Sequence, residues 1–117
     1  MKPSTERYTI VASRVFQLSV RRFRAFVEGQ YSAAMAENLV SRIKTKISQE
    51  LTLNPHIAPV SERLLSLGIA EYRQWLVDDH NIVMYRIDEE SRCIELLVLM
   101  STKQNIEKLL YEVNLLI

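Results

Sequence analysis

Side chains commonly recruited for chemistry are sparse in this chain. It holds two histidines, His56 and His80, and one cysteine, Cys93. The histidines lie far apart, a lone cysteine makes no C-x-x-C pair, and no H-E-x-x-H run occurs. The ligand spacing of a zinc site is therefore missing. Asp88-Glu89-Glu90 is an acidic cluster that, in a tight hairpin, reads as a solvated turn. Two glycines leave no Gly-rich loop to cradle a phosphate, and no Ser/His/Asp arrangement emerges from spacing. No cofactor is expected. The consecutive pair Tyr85-Arg86 is more informative, because on a strand its members point to opposite faces. One reading packs Tyr85 under helices with its hydroxyl bonded and pairs Arg86 with an acidic neighbour. The other gives Arg86 an exposed, partner-facing role. Trp75 reads as core, and His80, beside a hairpin link, as a solvated or capping residue.

Charge is uneven along the chain. Residues 1–46 hold nine Lys/Arg against three Asp/Glu, and residues 47–117 hold six against eleven, for a net charge of +1. That net charge marks neither a nucleic-acid binder nor a membrane binder. The two parts can neutralise each other inside one domain, or the first can present a basic helical face to a partner. A length of 117 residues fits one domain over 1–117, large enough to bury a core without staples. Cys93 alone forms no internal disulfide and fits a reducing cytosol. No apolar run reaches the roughly 18 residues that span a bilayer. The polar start, Met1 to Glu6, has no apolar signal core, so a cytoplasmic protein is expected.

The elements that must position these residues follow from periodicity. Tyr8 to Ser13 is β-branched and aromatic and predicts a first strand. Phe16, Val20, Phe23 and Val27 fall on one helical face, with Arg21, Arg22 and Arg24 mostly off it and Gly29 as a stop. Ser32 predicts the cap of a second helix with the stripe Ala33, Ala36, Val40, Ile43, Ile47 and Leu51, ended by Asn54-Pro55. The two make an αα-hairpin. A short helical turn is expected near Ser61 to Ser66, closed by Gly68. Ala70 to Val77, Asn81 to Ile87 and Arg92 to Met100 read as three strands joined by short polar links. The last is almost continuously apolar, as suits a central strand covered on both faces. Ile106, Leu109, Leu110 and Val113 form the stripe of a closing helix. The order is β-α-α-β-β-β-α, an α+β chain.

One segment carries a family resemblance. Glu71 to Ile87 reads Arg-x-aromatic-x-Val-x-x-His-x-Ile-x-x-Tyr-Arg-Ile and passes through an acidic turn into Ile94-Glu95-Leu96-Leu97-Val98-Leu99. It resembles the C-terminal half of the RelE/ParE superfamily, the toxins of type II toxin–antitoxin modules. The resemblance is sharp over residues 70–100 and architectural over 8–54. It implies a RelE/ParE-like fold with an N-terminal strand, α-helical hairpin, antiparallel β-meander and C-terminal helix. It also implies a cognate antitoxin, a toxin–antitoxin hetero-oligomer, and growth arrest with plasmid or locus stabilisation. Under it, Arg73 and Arg86 on adjacent strands line the face that antitoxin or target engages, with the basic side of the hairpin (Arg21, Arg22, Arg24) as a further docking surface.

Two activities divide the superfamily. RelE-like members cut mRNA on the ribosome with clustered Arg and Lys plus a tyrosine. ParE-like members bind DNA gyrase and do no bond chemistry. Against the RelE-like pattern Tyr-Arg-Leu-Val-Tyr, this chain has Asn81-Ile82-Val83-Met84-Tyr85, with Ile82 where an Arg is expected. Lys103-Gln104 stands where Lys-Arg is expected. A cation missing from a developing phosphorane costs on the order of a hundredfold in rate. The His80 to Arg86 string is similar to ParE-like chains. The resemblance thus implies a ParE-like gyrase inhibitor. The alternative is a ribosome-dependent mRNA endonuclease using Arg73, His80, Tyr85, Arg86 and Lys103. A third reading is a degenerate, non-toxic interaction domain.

Overall fold

The computed structural model describes residues 7–113; Met1 to Glu6, on which the expectation about secretion rests, lies outside them. The chain runs β1 (Thr9–Ala12), α1 (Arg14–Gln30), α2 (Ala33–Lys46), α3 (Glu62–Ser66), β2 (Arg73–Asp78), β3 (Asn81–Asp88), β4 (Cys93–Ser101) and α4 (Ile106–Glu112). The four strands form one sheet in the order β1-β4-β3-β2. β2, β3 and β4 are the antiparallel meander, and β1 joins parallel to β4 from Thr9 opposite Cys93 to Ala12 opposite Leu96.

Serine and asparagine side chains set the helix starts. Ser13 Oγ accepts from Phe16 N, Ser32 Oγ from Met35 N, Ser61 Oγ from Leu64 N and Asn105 Oδ1 from Lys108 N. Each satisfies an amide that the helix itself cannot. The cap at Ser13 also explains why β1 is shorter than Tyr8 to Ser13: that serine opens α1. Gly29 does not stop α1, which runs on to Gln30 with Tyr31 at its cap. Nor does Asn54-Pro55 directly end α2. From Ile47 to Leu51 the helix widens into a π-type turn, with Thr52 N bonded to Ile47 O. β2 starts at Arg73 rather than Ala70 because Glu71 holds φ 71, outside strand geometry.

Each face of the sheet is covered. Against one face pack Phe16, Val20, Phe23 and Val27 of α1 and Ala36, Val40 and Ile43 of α2, meeting Trp75, Val83, Tyr85 and Leu96. Against the other pack Leu64 of α3 and Ile106, Leu109 and Leu110 of α4, meeting Ile82, Met84, Val98 and Met100. Val113, just past α4, joins that second layer. β4 lies between them and is buried from Leu96 through Ser101. A bulge sits in β4: Met84 pairs with Val98 but Tyr85 with Leu96, leaving Leu97 as the extra residue. Leu97 and Val98 then both enter the second layer.

β1 ends at Ala12, so the edge of β4 beyond Leu96 has no strand beside it. α1 supplies the missing partners. Ser13 N and Oγ both donate to Leu96 O, and the buried Ser19 hydroxyl accepts from Leu99 N at 2.9 Å while donating to Phe16 O at 2.7 Å. At the other edge, residues 59–61 bond β2 through Gln74 N to Pro59 O and Ser61 N to Tyr72 O.

Candidate functional site

The meander places Arg73 directly opposite Tyr85, on the face beneath the helical hairpin. Tyr85 is fully buried, and its hydroxyl donates to Pro55 O. Burial pushes its phenol up to about 12. Arg73 donates to Ala58 O at 2.6 Å. Both side chains therefore clamp the 55–60 segment to the sheet.

Arg86 lies on the other face, opposite Glu95 across the β3–β4 pairing, and its guanidinium meets that carboxylate at 3.0 Å. Glu95 also accepts from the Tyr72 hydroxyl at 3.3 Å, and the Arg86 guanidinium sits 6.0 Å from the Tyr72 ring centroid. The charge of Glu95 raises the affinity of Arg86 for its proton. Burial raises the Tyr72 phenol. The expectation that Arg73 and Arg86 share one contact face is corrected by the strand alternation. The two guanidiniums are on opposite faces, and each is engaged within the fold.

His80 and Lys103 are found at the far end of β3. His80 is exposed in the β2–β3 turn, and its carbonyl accepts from Thr102 N, which brings Lys103 beside it. Both line a hollow of about 420 Å³ with Phe26, Tyr31, Met35 and Arg42. From Asn81 to Arg86 the strand advances about 17 Å at the usual rise per residue. Side chains separated by that span and by a sheet do not meet on one phosphate. Of the five residues proposed for RNA cleavage, His80 and Lys103 share this hollow.

On the hairpin, Arg21 and Arg22 are exposed and form no ion pair with described residues, whereas Arg24 Nε binds Glu37 at 2.7 Å. No ion pair among the described residues joins a cation of the first 46 to an acid further on. Mutual neutralisation of the two parts therefore does not proceed by direct pairing, and the hairpin keeps a basic outer surface.

Two groupings escaped the sequence reading. Glu89 accepts from the Tyr8 hydroxyl at 2.9 Å and pairs with His56 Nε2 at 2.7 Å, while the Arg92 guanidinium sits 4.5 Å from the Tyr8 ring centroid. The bond to His56, then that to Tyr8, holds the Glu89 carboxyl below the usual range. Asp88 accepts the Ser91 and Glu90 amides of its own turn, which lowers its carboxyl in turn. The acidic cluster is thus a self-capped turn plus a clip to Tyr8, just before β1, and to His56. The second grouping is Tyr31 with Met35 in the far hollow. Their signal was available: both are large apolar residues off the stripes that build the core.

No family model matches the chain, and no curated protein matches it. Among solved structures it is similar to a chain of the toxin–antitoxin complex RelBE2 from Mycobacterium tuberculosis. The two are 14% identical, with a TM-score of 0.56 over 85% of this chain and 95% of that one. Element order, meander and covering helices agree with the expected architecture, and the chain shares the fold of that solved chain.

Proposed function

We propose that this protein is the toxin of a type II toxin–antitoxin module, of the ParE-like kind. It binds DNA gyrase, arrests growth by blocking replication in the cytoplasm, and stabilises the plasmid or locus that encodes it. A cognate antitoxin neutralises it in a hetero-oligomer. The fold supports the toxin class. The observation that carries the ParE-like branch is the dispersal of Arg73, Tyr85 and Arg86. Tyr85 is sealed against Pro55 O, and the two arginines sit on opposite faces in internal contacts. A surface that binds a target needs no convergent acid, base and cation, whereas RNA cleavage does. Purified protein at micromolar concentration should inhibit gyrase supercoiling while a translation reaction runs normally. Untouched supercoiling would sink this branch.

The competing reading, a ribosome-dependent mRNA endonuclease, draws on a different observation. His80 and Lys103 line one hollow with Arg42 and Tyr31, and the similar solved chain belongs to a RelBE2 complex. Primer extension on a translated message would then show codon-linked cuts that Lys103→Ala removes. Normal growth on expression without antitoxin would point to the degenerate, non-toxic member instead.

A further inference from the structure

A net charge of +1 conceals a local excess of cations. The turn from Lys103 to Asn105 separates two hollows. One, of about 500 Å³, lies between α1 and α4 and is lined by Arg22, Lys103 and Lys108. The other, of about 440 Å³, lies between α3 and the start of α4 and adds Arg63. The two share Lys103, Gln104 and Asn105, so the four cations follow one another from α1 across α4 to α3. All four are exposed, and none forms an ion pair among the described residues. Glu107 and Glu112 are the carboxylates of these linings, so cations outnumber acids two to one. Lys103 also lines the hollow at His80, but Asp78 and Asp79 offset the charge there.

Two carboxamides add donors. Gln104 Oε1 accepts from Ser101 N at 2.8 Å, and Asn105 Oδ1 accepts from Lys108 N at 2.9 Å. Those bonds fix the orientation of each amide and leave its NH2 uncommitted among the described residues. The chemistry of the linings selects the occupant. An acidic peptide needs an apolar anchor at its centre, but Ile106 and Leu109 here are only 9% and 2% exposed. A single strand needs an aromatic platform for its bases, and the one aromatic in either lining, Phe26, is part-buried against the core. The phosphates of a duplex need only cations and N–H donors. A lone anion would fill one hollow and leave the cation of the other unmet, whereas a duplex repeats a charge about every 3.4 Å along each strand.

We propose that the row Arg22, Lys108, Lys103 and Arg63 is a docking surface for the phosphate backbone of duplex DNA. The inference rests on charge and donor chemistry and needs no antitoxin; under the gyrase reading above, it makes the DNA that gyrase holds a second contact of this protein. Fluorescence anisotropy of a short labelled duplex, titrated with the purified protein over a range of salt, tests it. The dissociation constant should fall in roughly the 10⁻⁴–10⁻⁶ M range at physiological salt, and four contacts should give a log affinity–log salt slope of about −3 to −4. Arg63→Gln and Lys108→Gln should each make that slope shallower by about 1, and together by about 2. Lys44→Gln removes an exposed charge of α2 outside both hollows and should leave the slope unchanged. Circular dichroism verifies that each variant folds. No binding of the duplex, or equal slope changes from all three single variants, would overturn the surface. Tighter binding of single-stranded DNA or RNA than of the duplex, or full displacement by inorganic phosphate at matched ionic strength, would overturn it too. A protein that inhibits supercoiling without binding the duplex would refute the surface and leave the gyrase reading standing. Duplex binding with the expected slopes beside untouched supercoiling would uphold the surface and refute the gyrase branch.

Discussion

Tyr85 shows how a single side chain can be fixed by burial. Its phenol rises to about 12 from an ordinary 10.0, so the neutral form is favoured in the fold. Its contribution to stability is whole below pH 10.0 and is lost as pH climbs toward about 12. Tyr85→Phe should remove that alkaline loss. It should also cost about 1–2 kcal/mol at neutral pH, because Pro55 O loses its donor. Urea unfolding at several pH values reads both, and an unchanged alkaline limb would refute the assignment. Glu89 has the opposite sign. Its carboxyl lies below the ordinary 4.5, so its contribution is present above that value and lost as pH falls through the depressed one. In His56→Ala the Glu89 resonance should titrate closer to 4.5 in an NMR experiment. An unmoved midpoint would show that the 2.7 Å contact does not hold the charge.

At the scale of elements, the short β1 decides what α1 must do. Because β1 stops at Ala12, Leu99 N finds its acceptor in Ser19. Ser19→Ala would strand a buried amide and should cost about 1–3 kcal/mol. Hydrogen exchange should accelerate at Leu99, and normal protection there would contradict the account. The two glycines separate backbone from space. Neither would crowd a Cβ, but Gly68 holds φ 85 while Gly29 sits inside α1. Gly68→Ala should therefore destabilise by about 1 kcal/mol, and Gly29→Ala should stabilise by about 0.4–1 kcal/mol, in paired thermal melts. Equal shifts of one sign would mean that conformation is not the controlling term.

Across the whole molecule, the basic first part and acidic second part meet without direct ion pairs among the described residues. The hairpin therefore carries a positive outer surface that acts at a distance. Under the proposed function, Arg21→Glu with Arg22→Glu should slow antitoxin association several-fold at low salt, with the gap narrowing as salt rises. Arg24→Ala should matter less, because Glu37 already holds that guanidinium at 2.7 Å. Stopped-flow association at two ionic strengths distinguishes these outcomes. Equal effects from the paired and unpaired arginines would remove the argument.

The element order, the αα-hairpin and the doubly covered last strand were legible in the residues, because apolar period and serine caps are local properties. Alternation alone also put Tyr85 and Arg86 on opposite faces. Which of them met the core, and that Arg73 lies with Tyr85 rather than with Arg86, depended on strand register. So did the parallel seat of β1, the β4 bulge and the gathering of Tyr31 and Met35 beside His80 and Lys103. Those arrangements join residues tens of positions apart. No local pattern records them, since pairing energy and packing are settled only when the distant segments meet.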